Sequence, residues 1–202
     1  MSSTISLSPD QVEQHLAQTG VVCRFSAQER AAFATTPVVS EPRKFFAFPT
    51  PAENSSLTLS TLRLCVGIDA RHQPSFFDHS WYQGEAFMET RCPAGWHFLS
   101  MDVLPNSIQQ PLDYSRSLET HLVLPLAVEV VLMLFLHYAA SREQLLQKKH
   151  TWCSDTASQH RHVTVGAFGR SGVFLSSHPS NFASRGLGIS PKVVGYSNRI
   201  EM

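Results

Sequence analysis

The sequence lacks a surplus of charge of either sign. Its 202 residues carry 16 Lys and Arg against 16 Asp and Glu, so the formal net charge is zero. Only 16% of the residues are charged, compared with about 25% in an average globular protein. Because proteins that bind nucleic acid usually carry a basic excess or a basic stripe, a protein or a small molecule is the more probable class of partner.

The sequence also lacks paired cysteines. Its four cysteines, Cys23, Cys65, Cys92 and Cys153, are widely spaced and form no C-x-x-C motif, which excludes a finger-type zinc site. The N-terminus shows no charged start followed by an apolar core, so we predict no secretory signal. Together these features predict reduced thiols and a cytoplasmic protein.

An uninterrupted apolar run is missing as well. The most apolar stretch, residues 122–140, contains Pro125, Glu129 and His137, whereas a membrane span needs about 20 apolar residues. We therefore predict no membrane segment and a long, buried, central helix over residues 125–148. A carboxylate inside such a helix needs a partner, and we expect Glu129 to pair with an arginine or to cap a loop amide.

The remaining patterns predict an α+β fold: the long central helix packs on a small, mostly antiparallel sheet, with short helices at the N-terminus. Two capping boxes, at Ser8 and Ser26, predict these short helices. The sheet is predicted from a strand at 96–103 and from a hairpin of 162–165 and 173–175 around a glycine-rich turn. We expect one domain over residues 1–202: an N-terminal helical segment (1–36), a Pro-rich loop (37–56) and an α+β core (57–196). Within that core, residues 57–66 fit a helix or a strand, and Gly67 as a stop favours the helix.

The densest group of polar side chains follows the long helix, and it supports two interpretations as a reactive site. A metal site would use His160, His162 and His178 with Asp155, since imidazole and carboxylate are ligands of zinc, iron and manganese. A nucleophilic site would use Ser154, Asp155 and His178 as its catalytic candidates. The alternative is that the histidines sit at strand ends and that Ser154 and Asp155 satisfy backbone groups in a helix-to-strand connection.

A third interpretation is ligand binding without chemistry. Arg161, Arg170 and Arg185 are candidates for pairing with phosphate or carboxylate, and Trp81 with Asp78 could line a pocket in an aromatic loop, residues 76–96. No G-x-G-x-x-G or Walker motif accompanies these arginines. The alternative is again ordinary: glycines and arginines in β-turns.

Three stretches resemble a family of uncharacterised bacterial proteins. They are Gln73-Pro74-Ser75-Phe76-Phe77-Asp78 with Trp81-Tyr82, then Gly95-Trp96-His97-Phe98-Leu99 with Asp102 and Pro105-Asn106-Ser107, and then Ser154-Asp155 with Val163-Thr164-Val165-Gly166 and Gly172-Val173-Phe174. The resemblance covers roughly residues 57–192. It implies a bacterial, intracellular setting, and it carries no activity and no catalytic residue with it.

Two classes of function are compatible with these features. The first is a non-enzymatic binding or accessory protein whose aromatic loop and arginine-bearing hairpin contact a partner. The second is a small hydrolase, with or without a metal, that uses the cluster of Asp155, His160, His162 and His178. The absence of any catalytic signature favours the first. The sequence assigns neither a cofactor nor an oligomeric state.

Overall fold

The fold was obtained as a computed structural model that describes residues 4–37, 43–53 and 57–195. It confirms the α+β class, with helices packed against mostly antiparallel sheets. Two sheets are present where one was expected, and the long helix packs against strands of both.

The N-terminal helices are α1 (Pro9–Ala17) and α2 (Ala27–Ala32). Both predicted capping boxes are present: Ser8 and Ser26 accept hydrogen bonds from the backbone N–H three residues later, and the side chain at that position bonds back to the cap. Capping satisfies the free amides of a first turn, which is why local sequence was sufficient to place these helices.

The first sheet has five strands in the order β1-β2-β3-β9-β4. They are β1 (Ile5–Ser6), β2 (Phe45–Thr50), β3 (Gly95–Ser100), β4 (Leu122–Val123) and β9 (Lys192–Val193). The prediction of a loop over residues 37–56 is therefore wrong for β2, which pairs antiparallel with β3 along its whole length. Every residue of β2 is buried, so the strand lacks the alternation by which a half-buried strand is recognised. Residues 38–42 and 54–56 of the predicted loop, and residue 196 of the predicted core, lie outside the described residues.

The second sheet has four strands in the order β7-β6-β5-β8. They are β5 (His150–Ala157), β6 (Arg161–Gly169), β7 (Gly172–His178) and β8 (Leu187–Gly188). The hairpin of β6 and β7 confirms the prediction. Strand β5 takes the place of the helix-to-strand connection that was expected around residues 152–155. The sequence did not predict this strand, because its first four residues are nearly all buried and again show no alternation.

Two further helices, α3 (Leu59–Val66) and α4 (Ala127–Ser141), complete the fold. Helix α3 confirms the preference for helix over strand at 57–66. Helix α4 is buried from residue 127 to residue 137, which confirms a central helix, but it ends seven residues before the predicted Lys148. Arg142 stops it by adopting a left-handed conformation, with φ of 64°. In the part of the chain that the structure describes, no helix is long and apolar enough to cross a membrane.

Candidate functional site: a cleft at the edge of the second sheet

A cleft of about 510 Å³ lies at the open end of the β6–β7 hairpin. Its walls come from residues 79–85 of the aromatic loop, from the β5–β6 connection at residues 157–161, and from residues 175–178 of β7. Strand β7 is an edge strand, and beside the cleft, at residues 175–178, no second strand of the described chain pairs with its outer side. Three residues singled out from the sequence line it: Trp81, Arg161 and His178.

Side-chain hydrogen bonds hold the walls of the cleft in place. The Glu85 carboxylate accepts from the backbone N–H and the hydroxyl of Ser158, at 2.9 and 2.6 Å, and these bonds lower the pKa of Glu85. From the same wall, the indole N–H of Trp81 donates to the Leu175 carbonyl of β7 at 3.0 Å. The Trp81 ring is therefore fixed in place: its polar edge is engaged, it packs near Tyr82 and Phe87, and its partly exposed remainder lines the cleft.

Arg161 is the cation of the cleft. Its Nε donates to the Ser177 hydroxyl at 3.1 Å, and its Nη2 donates to the Ser177 carbonyl. A guanidinium carries five N–H donors, so these contacts orient the group while leaving further donors for a ligand. The Glu85 carboxylate lines the same cleft and binds Ser158, and among the described residues no direct ion pair joins it to Arg161.

The connection between β5 and β6 contains two consecutive residues in the left-handed region. Gln159 has φ of 58° and His160 has φ of 53°, a conformation that non-glycine residues adopt at a cost. Gln159 lines the cleft, whereas His160 is exposed and is not among the lining residues. The backbone of this turn thus shapes one rim of the cleft.

The predicted metal histidines do not assemble into a site. His162 and His178 are directly opposite each other on β6 and β7. The His178 ring, however, stacks on Phe182, with 4.1 Å between the ring centroids. Burial, followed by the charge of Arg161, lowers the pKa of His178. Among the described residues, no group of three or more His, Cys, Asp or Glu side chains is placed to hold a metal ion.

The catalytic candidates Ser154 and Asp155 lie outside the cleft. The Ser154 hydroxyl donates to the Pro125 carbonyl at 3.3 Å. Asp155 is buried and accepts from the N–H of Ala127, the first residue of α4, at 2.6 Å. Burial raises the pKa of Asp155, and the bond from Ala127 partly offsets that effect. Both residues therefore serve the backbone, although from within β5 and not from the predicted helix-to-strand connection.

The other ligand-binding candidates are dispersed. Arg170 is exposed in the turn at the closed end of the hairpin, and Arg185 is exposed just before β8, at the opposite edge of the sheet. Asp78 is largely exposed and lies 3.5 Å from Arg63. None of these three lines the cleft. Of the three arginines predicted to bind a ligand, Arg161 is therefore the one that lies in it.

A second polar cluster is buried between α4 and the first sheet. Glu129 lies 2.9 Å from His97 Nδ1 and accepts from Lys192 Nζ at 2.8 and 2.9 Å. It also accepts from the N–H of Leu126 at 2.6 Å. The expected loop-amide cap is present, but the charged partner is Lys192, with the His97 ring beside it, instead of an arginine. Lys192 sits 63 residues from Glu129, and no local pattern in the sequence links the two.

This interior cluster also contains a cysteine beside a histidine. Cys92 Sγ lies 3.7 Å from His97 Nε2, which Thr50 Oγ1 approaches at 2.8 Å. A thiol acts as a nucleophile only as the thiolate. Burial, and next the charge of Glu129, raises the pKa of Cys92 well above its ordinary value. The arrangement therefore holds an inert thiol, and we assign the cluster a structural role.

Comparison with known proteins gives no match: no family model, no curated protein and no solved structure is similar to this chain.

Proposed function

We propose that this protein is a non-enzymatic binding module and that its ligand carries a carboxylate, which Arg161 binds in the cleft beside β7. The observation that carries the proposal is the convergence of Arg161, Trp81 and the edge of β7 in one cavity. Ligand pockets typically combine apolar walls with a few placed polar groups. A guanidinium that is oriented in advance suits a planar carboxylate.

The hydrogen bonds that line the cleft favour binding over hydrolysis. Ser158, Ser176 and Ser177 line the cleft. Among the described residues, none of their hydroxyl groups has a histidine within hydrogen-bond distance. A serine nucleophile needs such a base. The alternative of a small hydrolase built on Asp155 and the histidines would require groups that serve the backbone or lie apart in this fold.

We place this module in the cytoplasm of a bacterial cell. The resemblance of the sequence to uncharacterised bacterial proteins supports the source. The thiols support the compartment, since Cys92 and Cys153 are buried and form no disulfide within the described residues. Burial raises the pKa of Cys23 to about 12, so this thiol is protonated and inert at neutral pH.

Binding can be tested with a fluorescein-labelled pool of hexapeptides rich in Asp and Glu, with free C-termini, followed by fluorescence polarisation. We expect saturable binding that weakens by about tenfold or more in Arg161→Gln, because a hydrogen-bonded charge pair is lost. Trp81→Phe, which keeps a ring but removes the indole donor, should weaken binding less. The stability of Arg161→Gln should fall by about 1 kcal/mol, since this partly buried arginine forms hydrogen bonds with Ser177 but no ion pair among the described residues.

The matched controls are Arg170→Gln and Arg185→Gln, which remove the same charge from the same sheet outside the cleft. Both should bind the pool like the unmodified protein. A pool that shows no saturable binding, or an Arg161→Gln protein that binds as well as these controls, would rule out the proposed function.

A further inference from the structure

The outer edge of β7 already accepts a parallel strand at one end. Phe76 pairs with Val173 in a parallel bridge, Val173 donates its N–H to the Ser75 carbonyl, and Phe77 donates its N–H to the Val173 carbonyl. Gly172 permits this approach, because a Cβ there would lie 2.6 Å from the Ser75 oxygen. The edge is thus built to pair with extended backbone.

Beyond Phe77 the pairing segment leaves the edge, and the cleft begins. The Phe77 carbonyl accepts from the Tyr82 hydroxyl at 3.0 Å instead of continuing the ladder. Along a strand, the backbone groups of every second residue point to the same side. Because Val173 bonds outward, Leu175 and Ser177 also direct their N–H and C=O groups outward, into the cleft.

At this edge of β7 beside the cleft, the carbonyl groups have hydrogen-bond partners and the N–H groups do not, within the described residues. The Leu175 carbonyl is covered by the Trp81 indole and the Ser177 carbonyl by the Arg161 guanidinium. In the part of the chain that the structure describes, neither the Leu175 N–H nor the Ser177 N–H has a backbone partner on this side. The cleft therefore offers two backbone donors and a guanidinium, while each of its two carbonyls already accepts one side-chain donor.

The end of a peptide chain matches this set of groups. The carbonyls of every second residue in an extended chain are about 6.6 Å apart, as are the two donors of β7. A strand that continued past the cleft would present further N–H groups to the covered carbonyls. A chain that ends there presents one carbonyl, one N–H and then a carboxylate, and a carbonyl oxygen with two lone pairs can accept that single N–H beside the Trp81 donor.

We infer that the cleft captures the free C-terminus of an extended peptide, laid parallel to β7 in line with residues 75–77. The terminal carboxylate accepts from the Ser177 N–H and from Arg161, and an upstream carbonyl accepts from the Leu175 N–H. The side chain upstream of the terminus packs against Trp81. Strand addition and terminal-carboxylate capture are both known modes of peptide recognition. This inference rests on the proposed function and narrows its ligand to a chain end.

The test compares three labelled hexapeptides by fluorescence polarisation. One has uncharged side chains and a free C-terminus, the second is its C-terminal amide, and the third is an amide with two internal glutamates. We expect the free acid to bind at least about tenfold more tightly than either amide. Arg161→Gln should abolish that difference, whereas Arg170→Gln should preserve it. In proton–nitrogen NMR spectra, the amide signals of Leu175 and Ser177 should shift with the free acid.

The outcomes separate this inference from the proposed function. If the glutamate amide binds as tightly as the free acid and both depend on Arg161, chain-end capture is wrong and carboxylate binding stands. If the free acid binds without shifting the Leu175 and Ser177 amides, pairing with β7 is wrong. If neither carboxylate peptide binds, the proposed function fails, and the inference fails with it.

Discussion

The molecule contains two polar clusters that differ in how completely the chain satisfies them. In the interior cluster, the two Glu129 oxygens accept from Lys192 and from the Leu126 amide, with His97 Nδ1 also within hydrogen-bond distance. In the cleft, by contrast, the chain covers the carbonyls of Leu175 and Ser177 and leaves their amides facing outward.

The difference follows from burial. A charge that is fully buried must be paired and hydrogen-bonded, because an unpaired one costs several kcal/mol. In a cluster of that kind every charged group is already paired, so the cluster contributes to the stability and the arrangement of the core and not to ligand binding. Donors at the rim of a cleft can remain unpaired because water satisfies them until a ligand replaces it. Incomplete satisfaction at the surface, more than the number of polar residues, therefore marks the candidate site.

The largest expected effect is at Glu129. Replacing it with Gln removes the counter-charge of Lys192, so we expect the free energy of unfolding to fall by about 3–5 kcal/mol. Burial alone would raise the pKa of Glu129, but His97 and Lys192 together lower it. Its contribution is thus complete above the ordinary pKa of a glutamate and is lost as the pH falls through the lower value in the fold. Urea unfolding measures both effects.

Glu119→Gln is the matched control for Glu129→Gln, because the Glu119 side chain is 62% exposed beside Arg43. It should change the unfolding free energy by less than about 0.5 kcal/mol. A loss below about 1 kcal/mol in Glu129→Gln would show that the interior cluster does not act as a buried charge network.

The next effect is a loss of stability in acid through His150. Burial, and then the neighbouring His178, lowers the pKa of His150 to about 4, compared with about 6.5 in the unfolded chain. Between these values the unfolded chain binds more protons, so stability falls as the pH drops from 6.5 towards 4. We expect a loss of about 2 kcal/mol from His150 between pH 7 and pH 5, measured by urea unfolding at each pH.

In His150→Gln this dependence on pH should be weaker by about the same amount. His72→Gln serves as the control, since the His72 side chain is 80% exposed, and it should keep the dependence. An unchanged difference between pH 7 and pH 5 in His150→Gln would assign the acid sensitivity to other groups.

The smallest effect distinguishes a capping role from a catalytic one at Asp155. Asp155→Asn keeps an acceptor for the Ala127 amide, so it should change stability by no more than about 1 kcal/mol. Asp155→Ala, which removes that acceptor, should cost about 1–2 kcal/mol. Neither variant should alter peptide binding measured by fluorescence polarisation. If Asp155→Asn abolished binding while the protein stayed folded, Asp155 would belong to the functional site.

Prediction from the sequence succeeded where the determining contacts are local. The capping boxes at Ser8 and Ser26, the hairpin of β6 and β7, and the central helix all depend on residues that lie close together in the chain. It failed at β2 and β5, whose buried faces remove the alternation that identifies a strand. It also extended α4 past Arg142, because the left-handed stop is made by a residue type that rarely adopts it.

For the candidate site too, the sequence determined some features and the tertiary structure determined the others. Composition and residue types alone determined that the chain has an α+β core, a buried carboxylate in its central helix and a polar segment near its C-terminus. Only the tertiary structure decided that Trp81 meets a strand 94 residues away, that Asp155 turns inward, and that Arg161 is the arginine of the cleft. The reason is physical: the alternation of a strand sets which way a group points, but only the neighbouring chain decides whether that group is already bonded.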